Sequence, residues 1–415
     1  MRIYKFGGAS VKDVNGIKNF VQVLNKIKAK KGIVVVSAMG KMTNAFEEII
    51  AAYFNDRKIL GQKIDFVRNF HQAIVEKLFH DKTASIYYEI DQIFMEIIGF
   101  LDANTSKNYN YVYDQIVSKA ELLSTKILHA YLLHNKIKNT WLDARDYIIT
   151  DTTFRQANVD FNLTELKIRN LEANKLYITQ GFIAGTIDNK STTLGREGSD
   201  YSAAIFAYCL NAKSVTVFKD VPGVLNADPK LFKDTILIEK MSYKEAIEMA
   251  FYGASVIHPK TIQPLKRKQI PLYVKSFINP KLKGTEIKNN LPLTPKTPCF
   301  IIKKKQHLIS ITTIDFSFIT EKNISEIFGL LADFQLKSNM IQNTAISFSL
   351  CIEDLNSNFQ SLLLALKNNY KVKFNLNVKL LTVRHFNSQI IKQIEQENKI
   401  ILKQTTRETV QFIVK

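Results

Sequence analysis

Residues 2–10, Arg-Ile-Tyr-Lys-Phe-Gly-Gly-Ala-Ser, run a short apolar strand straight into a paired-glycine loop. Residues 32–37, Gly-Ile-Val-Val-Val-Ser, repeat the strand in purer form. Short, nearly continuous apolar runs read as strands buried on both faces, the condition of a largely parallel sheet. Between them, residues 14–28 carry apolar side chains at helical spacing. Residues 175–181 and 214–218 read as further strands, each leading to a motif. Residues 46–135 read as mostly helical, with a break near 103–107. The first 290 or so residues therefore predict an α/β domain with its loops of interest at the carboxyl ends of parallel strands, where ligands bind in such sheets.

Two of those loops carry chemistry. In the first, Lys5 ends the strand and Gly7 and Gly8 follow, so a fixed cation stands beside backbone N–H donors. The second is Leu-Gly-Arg-Glu-Gly-Ser-Asp-Tyr-Ser-Ala-Ala, residues 194–204. Gly195 and Gly198 allow close approach of an anion, and Arg196 offers a planar fork for a carboxylate or phosphate. Asp200 stands one residue before a small-residue helical run, so the loop feeds a helix N-terminus. Neither loop has the G-x-x-x-x-G-K-[ST] spacing or G-x-G-x-x-G, which excludes a P-loop and argues against a dinucleotide fold.

Composition bounds the rest. The chain has 415 residues, enough for two or three domains, and is 46% hydrophobic, enough for sizeable cores. No apolar run is long enough to span a membrane, and the charged opening strand is unlike a signal peptide. Cys209, Cys299 and Cys351 are far apart, so neither disulfides nor structural zinc are expected, and the setting is expected to be cytoplasmic. The formal net charge of +19 invites a nucleic-acid reading, but the lysines are dispersed and not interleaved with aromatics, so no nucleic-acid partner is expected. The longest basic run, Lys303-Lys304-Lys305, reads as solvated linker.

Three prolines in residues 291–298 mark a boundary, and 291–306 is expected to be a linker. Beyond it, the pattern is strand 307–314, helix 324–334, strand 345–352, helix 359–366, strand 371–374, strand 378–385, helix 388–396 and a hairpin of 399–405 with 410–414. This reads as two βαββαβ-type units, 307–375 and an abbreviated 376–415.

Six segments stand together in order: residues 5–10, Ser37–Asn44 (Ser-Ala-Met-Gly-Lys-Met-Thr-Asn), 121–125 (Glu-Leu-Leu-Ser-Thr), 193–204, 220–230 (Asp-Val-Pro-Gly-Val-Leu-Asn-Ala-Asp-Pro-Lys) and 252–264. In these segments the chain resembles the aspartate kinases of the amino acid kinase family, and its tail resembles their paired ACT domains, in which the two units interleave. The resemblance implies a three-layer sandwich for residues 1–290. It implies transfer of the ATP γ-phosphoryl group to the β-carboxylate of L-aspartate, the first step toward lysine, threonine and methionine. Lys5 would then stabilise the phosphoryl group, with Gly7, Gly8 and Ser10 lining its oxygens and Asp200 orienting Lys5 or the substrate amine. Arg196 would pair with a substrate carboxylate and Glu121 with the substrate ammonium; Ser37, Thr43 and Ser199 would add hydroxyl contacts. Asp220, Gly223, Asp228 and Lys230 would meet the nucleotide, although Asp228-Pro229 taken alone is a plain turn. Mg²⁺ would be held by phosphate oxygens with no protein ligand named. Ser325, Ser338, Asn339 and Ile341 fall where effector sites lie, for lysine, threonine or another amino acid, and the ACT units imply a homodimer or larger homo-oligomer. The chain is expected to be monofunctional, without a fused homoserine dehydrogenase.

Three departures from the family pattern stand out: Glu197 for the usual glycine, Lys219 for a frequent threonine, and Ser255 for a frequent lysine, with Lys260 five residues on as the candidate substitute. Lysine-sensitive relatives often carry aspartate at Asn339. His258 reads as a structural residue before a helix. The rival readings are another amino acid kinase, such as a glutamate 5-kinase, acetylglutamate kinase or uridylate kinase, and a catalytically silent amino-acid sensor.

Overall fold

The computed structural model describes residues 1–254, 257–315 and 317–415. The chain divides into two compact units. The first comprises Met1–Val224, Leu237–Ile247 and the described residues of 255–295. The second comprises Leu225–Ile236, Glu248–Ala254 and Lys296–Lys415. The two short excursions, 225–236 and 248–254, carry no compositional signal that would reveal them in the sequence.

The first unit is built on an eight-stranded sheet. Its strands are β1 (Ile3–Phe6), β2 (Gly32–Val36), β3 (Thr140–Leu142), β4 (Leu176–Gln180), β5 (Val215–Lys219), β6 (Lys240–Ser242), β7 (Leu272–Ser276) and β8 (Thr285–Lys288). Their order is β6-β8-β7-β5-β1-β2-β4-β3. Every neighbouring pair is parallel except β7 with β8. β1, β2 and β4 are buried along their whole length, as helix-covered parallel strands must be. The helices α1 (Val14–Lys26), α2 (Met42–Asn55), α3 (Leu60–Leu78), α4 (Ser85–Ala103) and α5 (Tyr109–His134) follow the expected helical region. α4 ends at Ala103, where the break was expected, and further breaks separate α2, α3 and α4. α5 is long and unusually polar inside: Asp114, Ser118, Glu121, Ser124 and Thr125 are all buried. A helix that buries polar groups needs partners for them, and those partners belong to the site described below.

The second unit carries a six-stranded antiparallel sheet: β9 (Cys299–Thr313), β10 (Lys337–Asn343), β11 (Ser347–Glu353), β12 (Tyr370–Arg384), β13 (Ile400–Thr405) and β14 (Thr409–Val414), in the order β10-β11-β9-β12-β14-β13. β9 and β12 are long and pair along their lengths, with register shifts around Lys303–Leu308. The lower halves join β10 and β11, and the upper halves join β14 and β13. The two halves of the sheet therefore share the long strands β9 and β12, an antiparallel arrangement consistent with ACT-like units. Ile309, Ile311, Leu350 and Leu362 belong to one apolar cluster, and Val383, Ile394, Val410 and Phe412 to another.

Three expectations change here. Lys303-Lys304-Lys305 is not solvated linker; it lies within β9, with Lys305 left-handed at φ 56° where the register shifts. Residues 371–374 and 378–385 are one strand, not two. β10 was not foreseen, because Lys-Ser-Asn-Met-Ile-Gln-Asn lacks apolar alternation; it is an edge strand, where such a sequence is tolerated.

Candidate active site

Strand register assembles the site. Phe6 pairs with Phe218 across β1 and β5, and their rings stack with centroids 4.6 Å apart. Side chains alternate along a strand, so Lys5, Val217 and Lys219 share one face. Helix α6 (Gly198–Cys209) brings Asp200 to that face in its first turn. The Lys5 ammonium lies 2.6 Å from Asp200 Oδ1, and the Lys219 ammonium lies 3.8 Å from Oδ2. Asp200 is 1% exposed and Lys5 8%. Burial alone would push the Asp200 carboxyl up, but Lys5 and Lys219 outweigh it and hold the group below the ordinary carboxylate range.

The paired-glycine loop closes against the loop after β2. A side chain at Gly8 would place its Cβ 2.5 Å from the Ala38 carbonyl oxygen, so only glycine fits. Gly40 N–H donates to the Gly8 carbonyl at 3.0 Å, and Ser10 N–H donates to Gly7 at 2.9 Å. Ser10 is buried in the short turn that follows. Ser37 and Thr43 are half-buried on the β2 loop and in the first turn of α2.

α5 braces these loops from below. Ser124 Oγ donates to the Ser37 carbonyl at 2.8 Å. Ala38 N–H approaches Glu121 Oε1 at 3.4 Å, while Oε2 is buried with no hydrogen-bond partner among the described residues. Glu121 is 2% exposed, and burial pushes its carboxyl up to about 8 against the lowering effect of Ala38. A buried, unsatisfied carboxyl is costly, and an incoming ammonium would satisfy it.

Two turns away on α5, Asp114 does a separate job that the sequence did not reveal. It accepts from Arg155 N–H at 2.9 Å, Thr193 N–H at 2.9 Å and Thr193 Oγ1 at 2.7 Å. Gln115 exchanges two hydrogen bonds with Ser191. Together they clamp strand 191–193, which delivers the second glycine loop. Burial raises Asp114 to about 6 despite these donors.

That loop reaches α6 through Glu197, whose φ of 57° is left-handed. This explains the family's glycine at the position: a side chain there costs roughly 1 kcal/mol. Glu197 points to solvent and Arg196 is also exposed, so the structure does not bring Arg196 into the buried cluster. Ser199 is buried and packs on Gly181, where an added Cβ would lie 2.5 Å from its own.

Asp220 is exposed and Gly223 buried after β5, with Val224 N–H donating to Thr285 Oγ1 at 2.8 Å. In the second unit, Asp228 and Lys230 are exposed, and Asp228 Oδ1 accepts from Lys230 N–H at 2.9 Å in a local turn. His258 caps helix Pro259–Arg267, accepting from Lys260 N–H, as expected of a structural residue. Ser255 lies outside the described residues. Among the described residues no cluster of His, Cys, Asp or Glu is placed to hold a metal, and no helix is long and apolar enough to cross a membrane.

Of the effector candidates, Ser325 is exposed on helix α7 (Glu321–Asp333), and Ser338, Asn339 and Ile341 lie on the edge strand β10. Asn339 Oδ1 accepts from Lys303 Nζ at 2.7 Å, and its Nδ2 donates to Gln306 Oε1 at 2.7 Å and Glu353 Oε2 at 3.3 Å.

A model of the amino acid kinase family matches residues 1–276. Lysine-sensitive aspartokinase 3 of Escherichia coli (strain K12) is 30% identical over 359 residues, covering 86% of this chain and 79% of that protein. This chain belongs to the amino acid kinase family, among its aspartokinases. The fold agrees over the full length: the crystal structure of E. coli aspartokinase III in complex with aspartate and ADP (R-state) superposes with a TM-score of 0.82 at 26% identity, covering 100% of this chain and 96% of that one. The bifunctional aspartokinase/homoserine dehydrogenase 2 of Arabidopsis thaliana is also 30% identical, and there the chain spans 39% of the relative's length.

Proposed function

We propose that this aspartokinase transfers the γ-phosphoryl group of ATP to the β-carboxylate of L-aspartate, giving ADP and 4-phospho-L-aspartate. The observation that carries the reading is the buried Lys5–Asp200 pair beside the paired-glycine loop, in a chain of this family. A carboxylate oxygen attacks the γ-phosphorus, the bond to the β,γ-bridging oxygen breaks, and ADP leaves with the electron pair. The acceptor is ionised at neutral pH, so no general base is needed. The task is to hold two anions together and to offset charge as the phosphoryl group moves.

Lys5 performs the second part, with the N–H groups of Gly7 and Gly8 and the Ser10 hydroxyl around the phosphoryl oxygens. Asp200 holds the Lys5 ammonium in place. Glu121, already buried with an unsatisfied oxygen, receives the substrate ammonium. Arg196 stands on an exposed loop and closes on a substrate carboxylate as a bidentate fork. Ser37, Thr43 and Ser199 supply hydroxyl contacts. Asp220 and Gly223 contact the nucleotide.

The residues fit a metal carried by the nucleotide: the buried carboxylate nearest the phosphates is already paired with two lysines. Mg²⁺ carried by the nucleotide would supply further charge neutralisation.

The ACT-like units carry amino-acid feedback through Ser325, Ser338, Asn339 and Ile341, and join copies of the chain. At Asn339 the acceptor oxygen is engaged by Lys303 of the same chain. That favours weak sensitivity to free lysine. ADP formation should depend on L-aspartate and not on L-glutamate or N-acetyl-L-glutamate; acceptor-dependent ADP formation with either of the latter alone would favour a different kinase of the family.

A further inference from the structure

The catalytic face brings two ammonium groups to one carboxylate. Asp200 can offset a single positive charge, yet two lysines converge on it from adjacent strands. The register that stacks Phe6 on Phe218 leaves no choice in this: Lys219 falls two residues beyond Val217, the partner of Lys5, and therefore projects to the same face. The two lysines are not equivalent. Lys5 is within direct bonding distance of Asp200 and its side chain is 10% exposed; Lys219 is 3.8 Å away and 22% exposed. Lys5 Nζ also lies over the glycine loop, 3.5 Å from where a Gly7 Cβ would stand.

We propose that Lys219 is a second contact for the nucleotide phosphates, placed outside Lys5 so that Lys5 meets the transferring group and Lys219 the β-phosphate, with Asp200 as their shared counter-ion. This deepens, and rests on, the reading of the site as a phosphoryl-transfer centre. A nucleotide polyphosphate carries several negative charges on neighbouring groups. Among the protein groups placed there, Lys5 alone carries charge beside the Gly7 and Gly8 N–H donors and the Ser10 hydroxyl, and a second ammonium on the same face adds to it. Asp200 keeps the two cations together before the nucleotide arrives, when their mutual repulsion would otherwise spread them. The alternative is that Lys219 merely balances Asp200 and touches no ligand.

The two are separated by the phosphate dependence of binding. ADP and AMP affinities would be measured calorimetrically on the full chain for wild type, Lys219→Met and Lys219→Arg. Lys219→Met should lose about tenfold in ADP affinity and little in AMP affinity, and Lys219→Arg should retain most of the preference, as expected for one charge-assisted phosphate contact. kcat should fall in the same order. A Lys219→Met protein with the wild-type ratio of ADP to AMP affinity overturns the inference, whether both affinities hold or both drop together. If Lys219→Met does not fold, loss of that ratio in Lys219→Gln decides in the same way. Wild-type protein that binds neither nucleotide would instead overturn the phosphoryl-transfer reading itself.

Discussion

In the first unit, Lys5, Asp200 and Glu121 are buried and the partly exposed Lys219 joins them; in the second, half-buried Lys303, Asn339 and Glu353 share hydrogen bonds with or through buried Gln306. Both are polar clusters held by strand register, but their energetics differ. The first is enclosed and uneven, with one carboxylate between two ammonium groups and another carboxyl left without a partner for one oxygen. Its groups interact strongly because the surroundings screen them little. The second is satisfied internally and screened by solvent, so each bond contributes little. A buried cluster with an unsatisfied carboxyl oxygen costs stability that a ligand can offset, which is why the first reads as a reaction centre and the second as a tunable structural joint.

The sharpest way to break this contrast is Lys5→Met. Turnover should fall by about a hundred- to a thousandfold, because a cation aimed at developing charge is lost, while aspartate affinity changes little. A steady-state kcat within a few-fold of wild type would remove Lys5 from the chemistry.

Glu121 gives the next largest effect. Its carboxyl sits near 8 before substrate arrives, so below that pH it is largely protonated. Binding an ammonium favours the carboxylate, and a proton must leave. Aspartate affinity should therefore strengthen as pH rises toward 8, by up to about tenfold per pH unit on the acid side. Glu121→Gln should bind more weakly and lose this dependence. A flat affinity profile in wild type between pH 6.5 and 8 would contradict the burial argument.

The smallest effect belongs to the second cluster. Lys303→Met should leave turnover without effector within about twofold of wild type and lower stability by about 1 kcal/mol or less, measured by urea unfolding. A large loss of turnover would mean that this edge is not the screened joint described here.

What could be read in the sequence follows the same division. Nearly continuous apolar runs at 2–6 and 32–37 identified buried parallel strands because burial on both faces leaves little alternation to misread. The glycine loops and Asp200 were legible because each needs a particular residue type at a particular place. Lys219 was visible as an oddity, but its approach to Asp200 depends on pairing between strands more than 200 residues apart, which no local pattern encodes. Asp114 was invisible for the same reason, since its donors come from Arg155 and Thr193. β12 was divided because Asn375-Leu376-Asn377 interrupts the apolar pattern, yet the strand continues through a left-handed Asn377. There tertiary pairing with β9 overrides local preference.

The central claim is that this site moves a phosphoryl group onto a carboxylate, and hydroxylamine tests it directly, since it captures acyl phosphates as hydroxamates. Wild-type protein with Mg-ATP and L-aspartate should yield aspartate hydroxamate in step with ADP. ADP formed with no hydroxamate, or hydroxamate formed only when another acceptor replaces L-aspartate, would contradict the account.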